Sequence, residues 1–241
     1  MKKIIILVLI MLSNVLAAQK ELVVGVSAIR PPFMFYDADK NLVGYDYEVM
    51  ETVAKKLGHK TIYKDMQWDG LIPSLIDGKI DVIASALSVN EERKKKINYS
   101  DSYNRIGSRV TILPSSNIKS INDLKNKKVG VAIGTVQEDI ANENADKIGE
   151  IVAYNGGDDS FIALQTGKVE ALIENGAQVA YHLSVKKIAN VKMVGDLLKP
   201  MEMAFGLRKG NDELLKELNK TLAELKKDGT IAKLQKKWFG K

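Results

Sequence analysis

Five short stretches decide the fold: LVVGV at 22–26, YDYEVMETVAKKL at 45–57, TIY at 61–63, LIPSLI at 71–76 and DVIA at 81–84. The first, third and fifth are short runs rich in β-branched residues and read as strands. The second is amphipathic: Val49, Val53, Ala54 and Leu57 share one helical face, and Gly58 supplies a C-terminal stop. The fourth reads as a short helix over Leu71 to Ile76, with Pro73 in its first turn. Strand–helix–strand–helix–strand predicts a mostly parallel sheet flanked by helices, an α/β fold.

Working outward, the pattern restarts. Ser120 to Leu124 reads as a capped short helix, and Lys128 to Ile133 (KVGVAI) as a strand. A helix over Thr135 to Ala145 opens with a capping box, Thr135 with Glu138. Ile151 to Tyr154 is a strand, Phe161 to Leu164 begins a helix, and Val169 to Ile173 is a strand. Leu214, Leu218, Leu222 and Leu225 mark a periodic helix over Glu213 to Lys227, followed by a last one over Ile231 to Trp238. Each α/β unit has roughly 85–95 residues, within the range of a small domain. Extended segments at Arg105–Leu113 and Met201–Leu207 lie at the junctions. Two such crossings suit two lobes joined by a two-strand hinge; a single continuous sheet fits the same periodicity.

The amino terminus has another purpose. Lys2 and Lys3 precede an apolar run, Ile4 to Leu12, and then Ser13-Asn14-Val15-Leu16-Ala17-Ala18. A basic start, a short apolar run and small residues at the cut make residues 1–17 a secretory signal peptide, cleaved after Ala17 or Ala18. The run is too short to span a bilayer, which takes ~20 residues. The expected product is exported, soluble and without stable membrane insertion; in a bacterium with two membranes it is periplasmic. Cleavage takes two lysines and lowers the formal charge of the 241-residue chain from +6 to +4. That mild excess does not call for nucleic acid as a partner. With no cysteine, the chain has no disulfide framework, Cys-ligated metal, thiol nucleophile or lipid anchor. Two histidines, His59 and His182, argue against a His-built metal site or a Ser–His–Asp hydrolase. No metal, cofactor or catalytic residue is expected.

Several motifs then fall in order. Pro31-Pro32-Phe33 follows the first strand, and Leu42-Val43-Gly44-Tyr45-Asp46 opens the first helix. Next come Trp68-Asp69-Gly70-Leu71-Ile72-Pro73-Ser74-Leu75, Gly78-Lys79-Ile80-Asp81-Val82 and Ser85-Ala86-Leu87-Ser88-Val89-Asn90-Glu91-Glu92-Arg93. Tyr99-Ser100-Asp101-Ser102-Tyr103 follows, and Lys237-Trp238-Phe239-Gly240 closes the chain. Each fragment alone is weak. The ordered set, behind a leader, resembles the periplasmic solute-binding proteins that deliver polar amino acids to ABC importers, the family-3 type. The resemblance covers nearly all of the chain after the leader. It implies a two-lobed periplasmic-binding-protein-like fold (type II). Each lobe is then a mixed, mostly parallel sheet flanked by helices, and a monomer closes on its ligand. The expected lobes are 18–104 with 201–241, and 105–200.

The candidate ligand residues can be read chemically first. Asn90 is a good N-cap with Glu91 and Glu92 in the first turn, so Arg93 lies at a helix N-terminus that favours an anion. Its guanidinium can hold a carboxylate with two parallel hydrogen bonds; the competing reading is a solvated residue in a charged run. Ser85, Ala86 and Ser88 follow the strand Asp81–Ala84, where open α/β sheets bind ligands, and also suit a serine turn before a helix. Thr135 and Val136 sit at a strand-to-helix turn whose cap explains itself structurally. Trp68 is either core or an aromatic face for a cation or an apolar stem.

The resemblance implies roles. Arg93 and Ser88 take the ligand α-carboxylate, with the Val136 N–H beside Thr135 reaching it from the other lobe. A carbonyl of Ser85 or Ala86 takes the ammonium, and Trp68 lies against the ligand side chain. Three positions depart from the family pattern. Asn175 stands where an Asp usually meets the ammonium, with Glu174 adjacent as a substitute. Arg30 stands where the family is usually aromatic, and either enters the cleft or faces solvent. Ser27 stands where some members have an acid. An added arginine with fewer acids argues against a simple basic amino acid and permits an acidic ligand, or one with a second carboxylate. The expected function is capture of a polar amino acid or related carboxylate by cleft closure, for delivery to the membrane subunits of an ABC importer. The alternatives are a cyclohexadienyl dehydratase-like enzyme with Glu174 as general acid, and a sensory ligand-binding module.

Overall fold

The structure, a computed structural model, describes residues 19–133, 135–155, 157–184 and 190–240. The expected signal peptide lies outside the described residues. The chain opens with β1 (Lys20–Val26), β2 (Ile29–Arg30), β3 (Met34–Tyr36), β4 (Leu42–Val43), α1 (Tyr45–Lys56), β5 (His59–Asp65), α2 (Trp68–Ile76), β6 (Val82–Ile83), α3 (Glu91–Lys94) and β7 (Ile97–Tyr99). It crosses over through β8 (Asn104–Ile112) and continues with β9 (Lys128–Ala132), α4 (Val136–Glu143), β10 (Glu150–Tyr154), α5 (Gly157–Gln165), β11 (Ala171–Asn175) and α6 (Gly176–Ser184). It returns through β12 (Lys192–Met203) and ends with β13 (Gly206–Arg208), α7 (Asp212–Lys227) and α8 (Thr230–Phe239).

Two five-stranded mixed sheets result, ordered β5-β1-β6-β13-β7 and β10-β9-β11-β8-β12. In the first, β5, β1 and β6 run parallel, while β13 and β7 join antiparallel. In the second, β10, β9 and β11 run parallel, while β8 and β12 join antiparallel. This is the two-lobed α/β architecture expected, and the single continuous sheet is ruled out. The two crossings pair with each other: Asn104 lies opposite Met203, Arg105 opposite Glu202 and Ile106 opposite Met201. Further along, the β12 register slips twice, and Gly195 and Lys199 take positive φ there; the added residues bend the strand.

Both faces of each sheet are covered, which explains why the parallel strands read as nearly continuous apolar runs. In β1, Val24 and Val26 join a core with Tyr45, Val49, Val53, Phe205, Leu218, Leu222, Leu225 and Phe239. Val23, just before them, faces a second core built on Leu71, Leu75, Ile80 and Ile83. In β11, Ala171 and Ile173 pack with Val129, Val131 and Ile140, while Leu172 packs with Leu164 and Val179. The leucines of α7 bury the face their spacing predicts. The α6 residues Ala177 and Ala180 join the first-lobe core. Tyr181 meets Phe35 edge-on at 5.7 Å.

Several boundaries differ from the sequence reading. Helix α2 starts at Trp68 rather than Leu71, so Pro73 sits in its second turn. Proline there lacks the N–H that would reach the Asp69 carbonyl. Strand β11 is displaced two residues toward the C-terminus of the expected Val169–Ile173, making Glu174 and Asn175 its last residues. Helix α6 was not expected. The small β2-β3-β4 sheet was also unforeseen, because strands of two or three residues leave no periodicity to read.

That small sheet is held by a glycine. Gly44, the N-cap of α1, has φ +134°, and a Cβ there would lie 2.2 Å from the Phe33 carbonyl oxygen. The close approach lets Tyr45 N donate to Pro32 O and Asp46 N to Phe33 O, both at 2.9 Å. Gly44→Ala is expected to destabilise the chain by more than about 1 kcal/mol, since both conformation and contact are incompatible with a side chain. Urea unfolding checks this; a midpoint unchanged from wild type would contradict it.

Candidate functional site

The first-lobe half of the site is built on the segment that follows β6. Its backbone is anchored on both sides. Ala204 N donates to Leu87 O at 3.2 Å, Val89 N to Glu202 O at 2.9 Å, and Ser88 bridges Met203. Asn90 caps α3 as expected, its Oδ1 accepting from Arg93 N at 2.8 Å. The Arg93 side chain folds back: Nη1 donates to both the carbonyl and the hydroxyl oxygen of Ser88, each at 3.1 Å. The Tyr99 hydroxyl donates to the same Ser88 carbonyl at 3.2 Å. One guanidinium nitrogen is thus fixed, and the rest of the fork keeps its donors. The Ser88 hydroxyl accepts from Arg93 and so retains its own hydrogen to donate.

Trp68, at the first residue of α2, completes a cluster. The Arg30 guanidinium carbon lies 4.1 Å from the Trp68 ring centroid, and that of Arg93 lies 5.4 Å from it. Arg30 therefore lies against Trp68 beside Arg93, with its side chain still exposed. Partial burial, and then the Arg93 charge, lower its pKa from the ordinary value. The Phe33 N–H donates to Arg30 O at 2.8 Å, and Arg30 pairs with Met34 across β2 and β3. The strand that presents Arg30 is thus fixed.

Ser85 and Ser27 have a different use. Both are buried; the Ser85 hydroxyl accepts from Ser27 N at 2.9 Å and donates to Ser27 O at 3.3 Å. The pair stitches the end of β1 to the end of β6. Ala86 adopts φ +51°, and its N–H donates to the fully buried carboxylate of Asp46. The sequence reading placed Asp46 in a motif without giving it this role. Burial pushes its carboxyl up to about 7, against the Ala86 hydrogen bond, which opposes the shift. Unfolded, the group titrates near 3.8. Between those values the folded chain keeps a proton that the unfolded chain releases. Asp46 therefore makes stability fall as pH rises from about 4 to about 7, with no further loss above. Burial raises Glu174 as well, with the same sign. Asp46→Asn keeps an acceptor for Ala86 and is expected to flatten this slope. Denaturant midpoints at pH 4.5 and 7.5 check it; an unchanged slope would assign it elsewhere.

The second-lobe half has two helix starts. Thr135 caps α4, accepting from Glu138 N at 3.3 Å and donating to Ala132 O at 2.7 Å. Val136 follows, 46% exposed. Gln137, which the sequence reading passed over, donates from Nε2 to the buried Ser108 of β8 at 2.9 Å. Asn175 caps α6, its Oδ1 accepting from Ala177 N at 3.0 Å and Gln178 N at 3.4 Å. What Asn175 retains is an amide NH2, a donor. Glu174 is 6% exposed, and its Oε1 accepts from Asn175 N at 2.7 Å. The structure thus brings Arg30, Trp68, Ser88 and Arg93 together. Among the described residues no hydrogen bond joins that group to Thr135, Val136 or Asn175. The described residues hold no cluster of His, Asp or Glu able to bind a metal ion. No described helix is long and apolar enough to cross a membrane.

The chain is similar to several known proteins. The chain is 33% identical to the L-cystine-binding protein TcyJ of Escherichia coli (strain K12) over 231 residues, 95% of this chain and 86% of that protein. It is 33% identical to the histidine-binding periplasmic protein of Salmonella typhimurium, over 92% of this chain and 89% of that one. The L-cystine solute receptor of Neisseria gonorrhoeae, in its unliganded open conformation, superposes with a TM-score of 0.84 at 32% identity, covering 93% and 94% of the two chains. Residues 22–241 match the model of one family. With two mixed sheets, paired crossings and an arginine anchored beside the β6 end, the chain belongs to the bacterial extracellular solute-binding proteins, family 3.

Proposed function

We propose that the chain captures a polar amino acid, or a related small carboxylate, between its lobes and presents it to the membrane subunits of an ABC importer. The observation that carries this reading is the Arg93–Ser88 pair: one Nη1 is tied down at 3.1 Å and the remaining donors are free for a carboxylate. In the proposed complex Arg93 and the Ser88 hydroxyl hold the α-carboxylate, and the Val136 N–H beside Thr135 reaches it on closure. A main-chain carbonyl at Ser85 or Ala86 receives the ammonium, and Trp68 lies along the side chain. The hydroxyls of Ser85 and Ser27 serve each other, so neither side chain is given to the ligand.

The lobes are proposed as 18–104 with 201–241, and 105–200, turning about the paired strands β8 and β12. Only the closed form makes both sets of contacts, so ligand shifts the population toward it. A location outside the inner membrane follows from the family; cleavage after Ala17 or Ala18 is proposed from the leader.

A thermal-shift screen of the twenty amino acids tests the reading. Ligand at 100 times Kd adds about 2.7 kcal/mol to stability, so at least one amino acid should raise the melting temperature by several degrees. No shift with any of them would overturn amino-acid capture. Small-angle scattering with that amino acid should show a smaller radius of gyration, and an unchanged radius at saturation would overturn closure.

A further inference from the structure

Arg30 gives the site a second cationic group. Its guanidinium and that of Arg93 share one indole, at 4.1 and 5.4 Å from the Trp68 centroid. Among the described residues neither arginine forms an ion pair with a carboxylate. Of the acids around the three residues, Asp65 accepts from Ala28 N at 3.0 Å, Glu91 pairs with Lys94 and Glu92 with Lys95, while Asp69, next to Trp68, is exposed in the first turn of α2. The charge that acts on Arg30 is that of Arg93, which is of like sign. Holding two like charges over one ring is unfavourable, and the indole offsets part of that for each. Of the other candidate ligand residues, Ser27 is neutral and buried, Asn175 has its oxygen on the start of α6, and burial favours the uncharged form of Glu174. A ligand bearing a cationic side chain would meet two guanidinium groups at this indole, neither of them in an ion pair among the described residues. An α-carboxylate on Arg93 neutralises one guanidinium and leaves the other.

We infer that the ligand is an α-amino acid carrying a second carboxylate, and that Arg30, held over Trp68 beside Arg93, receives that second group. This rests on the amino-acid-capture reading above. The strand bearing Arg30 is fixed by its pairing with β3, so the receiving group is positioned before ligand arrives. The selectivity is electrostatic. An amide or an amine in place of the second carboxylate loses a charge-assisted hydrogen bond.

Isothermal titration of the exported protein with three matched pairs tests this: L-glutamate with L-glutamine, L-aspartate with L-asparagine, and L-cystine with the cysteine–cysteamine mixed disulfide, which lacks one carboxylate. At least one dicarboxylate should bind about 10-fold or more tighter than its partner, equivalent to about 1.4 kcal/mol. Arg30→Gln should reduce that ratio to within about 3-fold, chiefly by weakening the dicarboxylate, and Arg30→Lys should restore part of it. The unliganded melting temperature of both variants should match wild type, because Arg30 is exposed. If the partners lacking the second carboxylate bind as tightly as the dicarboxylates, or if the ratio survives Arg30→Gln, the inference is overturned while amino-acid capture stands. The same holds if only other amino acids from the screen of twenty bind. If none of the twenty and none of the pairs binds, capture itself fails, and the inference with it.

Discussion

Arg93→Ala should reduce the affinity for whichever amino acid gives the largest thermal shift with wild type by about 100-fold or more. Two charge-assisted hydrogen bonds to a carboxylate are removed at once, and such bonds are worth about 1.5–3 kcal/mol each. The protein should still fold normally. The Arg93 side chain makes its hydrogen bonds within the site, to Ser88, while the Asn90 cap uses its backbone N–H and survives the change. Arg93→Lys should recover only part of the loss, because an ammonium cannot reach Ser88 and grip a carboxylate with the same planar fork. Isothermal titration, with circular dichroism as the folding check, reads both variants. Normal binding by Arg93→Ala would dismantle the proposed site from its centre.

The largest expected effect on stability belongs to Phe205→Ala. Phe205 is fully buried, and its ring stacks on that of Tyr103 with centroids 4.4 Å apart and planes 26° from parallel. It lies between β12 and β13, and Ser100 secures it from both sides: Ser100 Oγ accepts from Phe205 N, and Ser100 N donates to Phe205 O, both at 2.9 Å. Truncating a buried Phe costs about 3–5 kcal/mol through lost transfer energy and the cavity left behind. For a chain of this size each kcal/mol moves the melting temperature by about 2–4 °C, so a drop of roughly 10 °C is expected in calorimetry. A drop under about 3 °C would mean that the surrounding core collapses into the space.

The architecture was legible because it rests on periodicity. Strands buried on both faces give apolar runs, amphipathic helices give the period of α1 and α7, and the two crossings appear as extended segments at the junctions. The small sheet β2-β3-β4 and helix α6 were not legible. The first is held by a backbone contact at Gly44, and the second is started by an Asn175 cap that reads equally as a ligand residue. In the site, Asn90 and the Thr135 cap followed from local rules and are found as expected. The mutual use of Ser27 and Ser85, the Asp46 bond to Ala86 and the Gln137 bond to Ser108 join residues 29 to 58 positions apart. No local spacing rule can connect such residues. Arg30 was open between two orientations because orientation depends on a neighbour 38 positions away in sequence, Trp68.

The first sheet also sets the order in which the chain can be completed. Strand β13 lies between β6 and β7, so β7 has no neighbour in that sheet until residue 206 is available. The core beneath it also awaits Leu218, Leu222 and Phe239. The second sheet, in contrast, is drawn from one contiguous segment. A chain leaving a ribosome or a translocation pore from its N-terminus can finish the second lobe while the first is still open. The N-terminal lobe is thus the last to be completed, although its first strand is the first made.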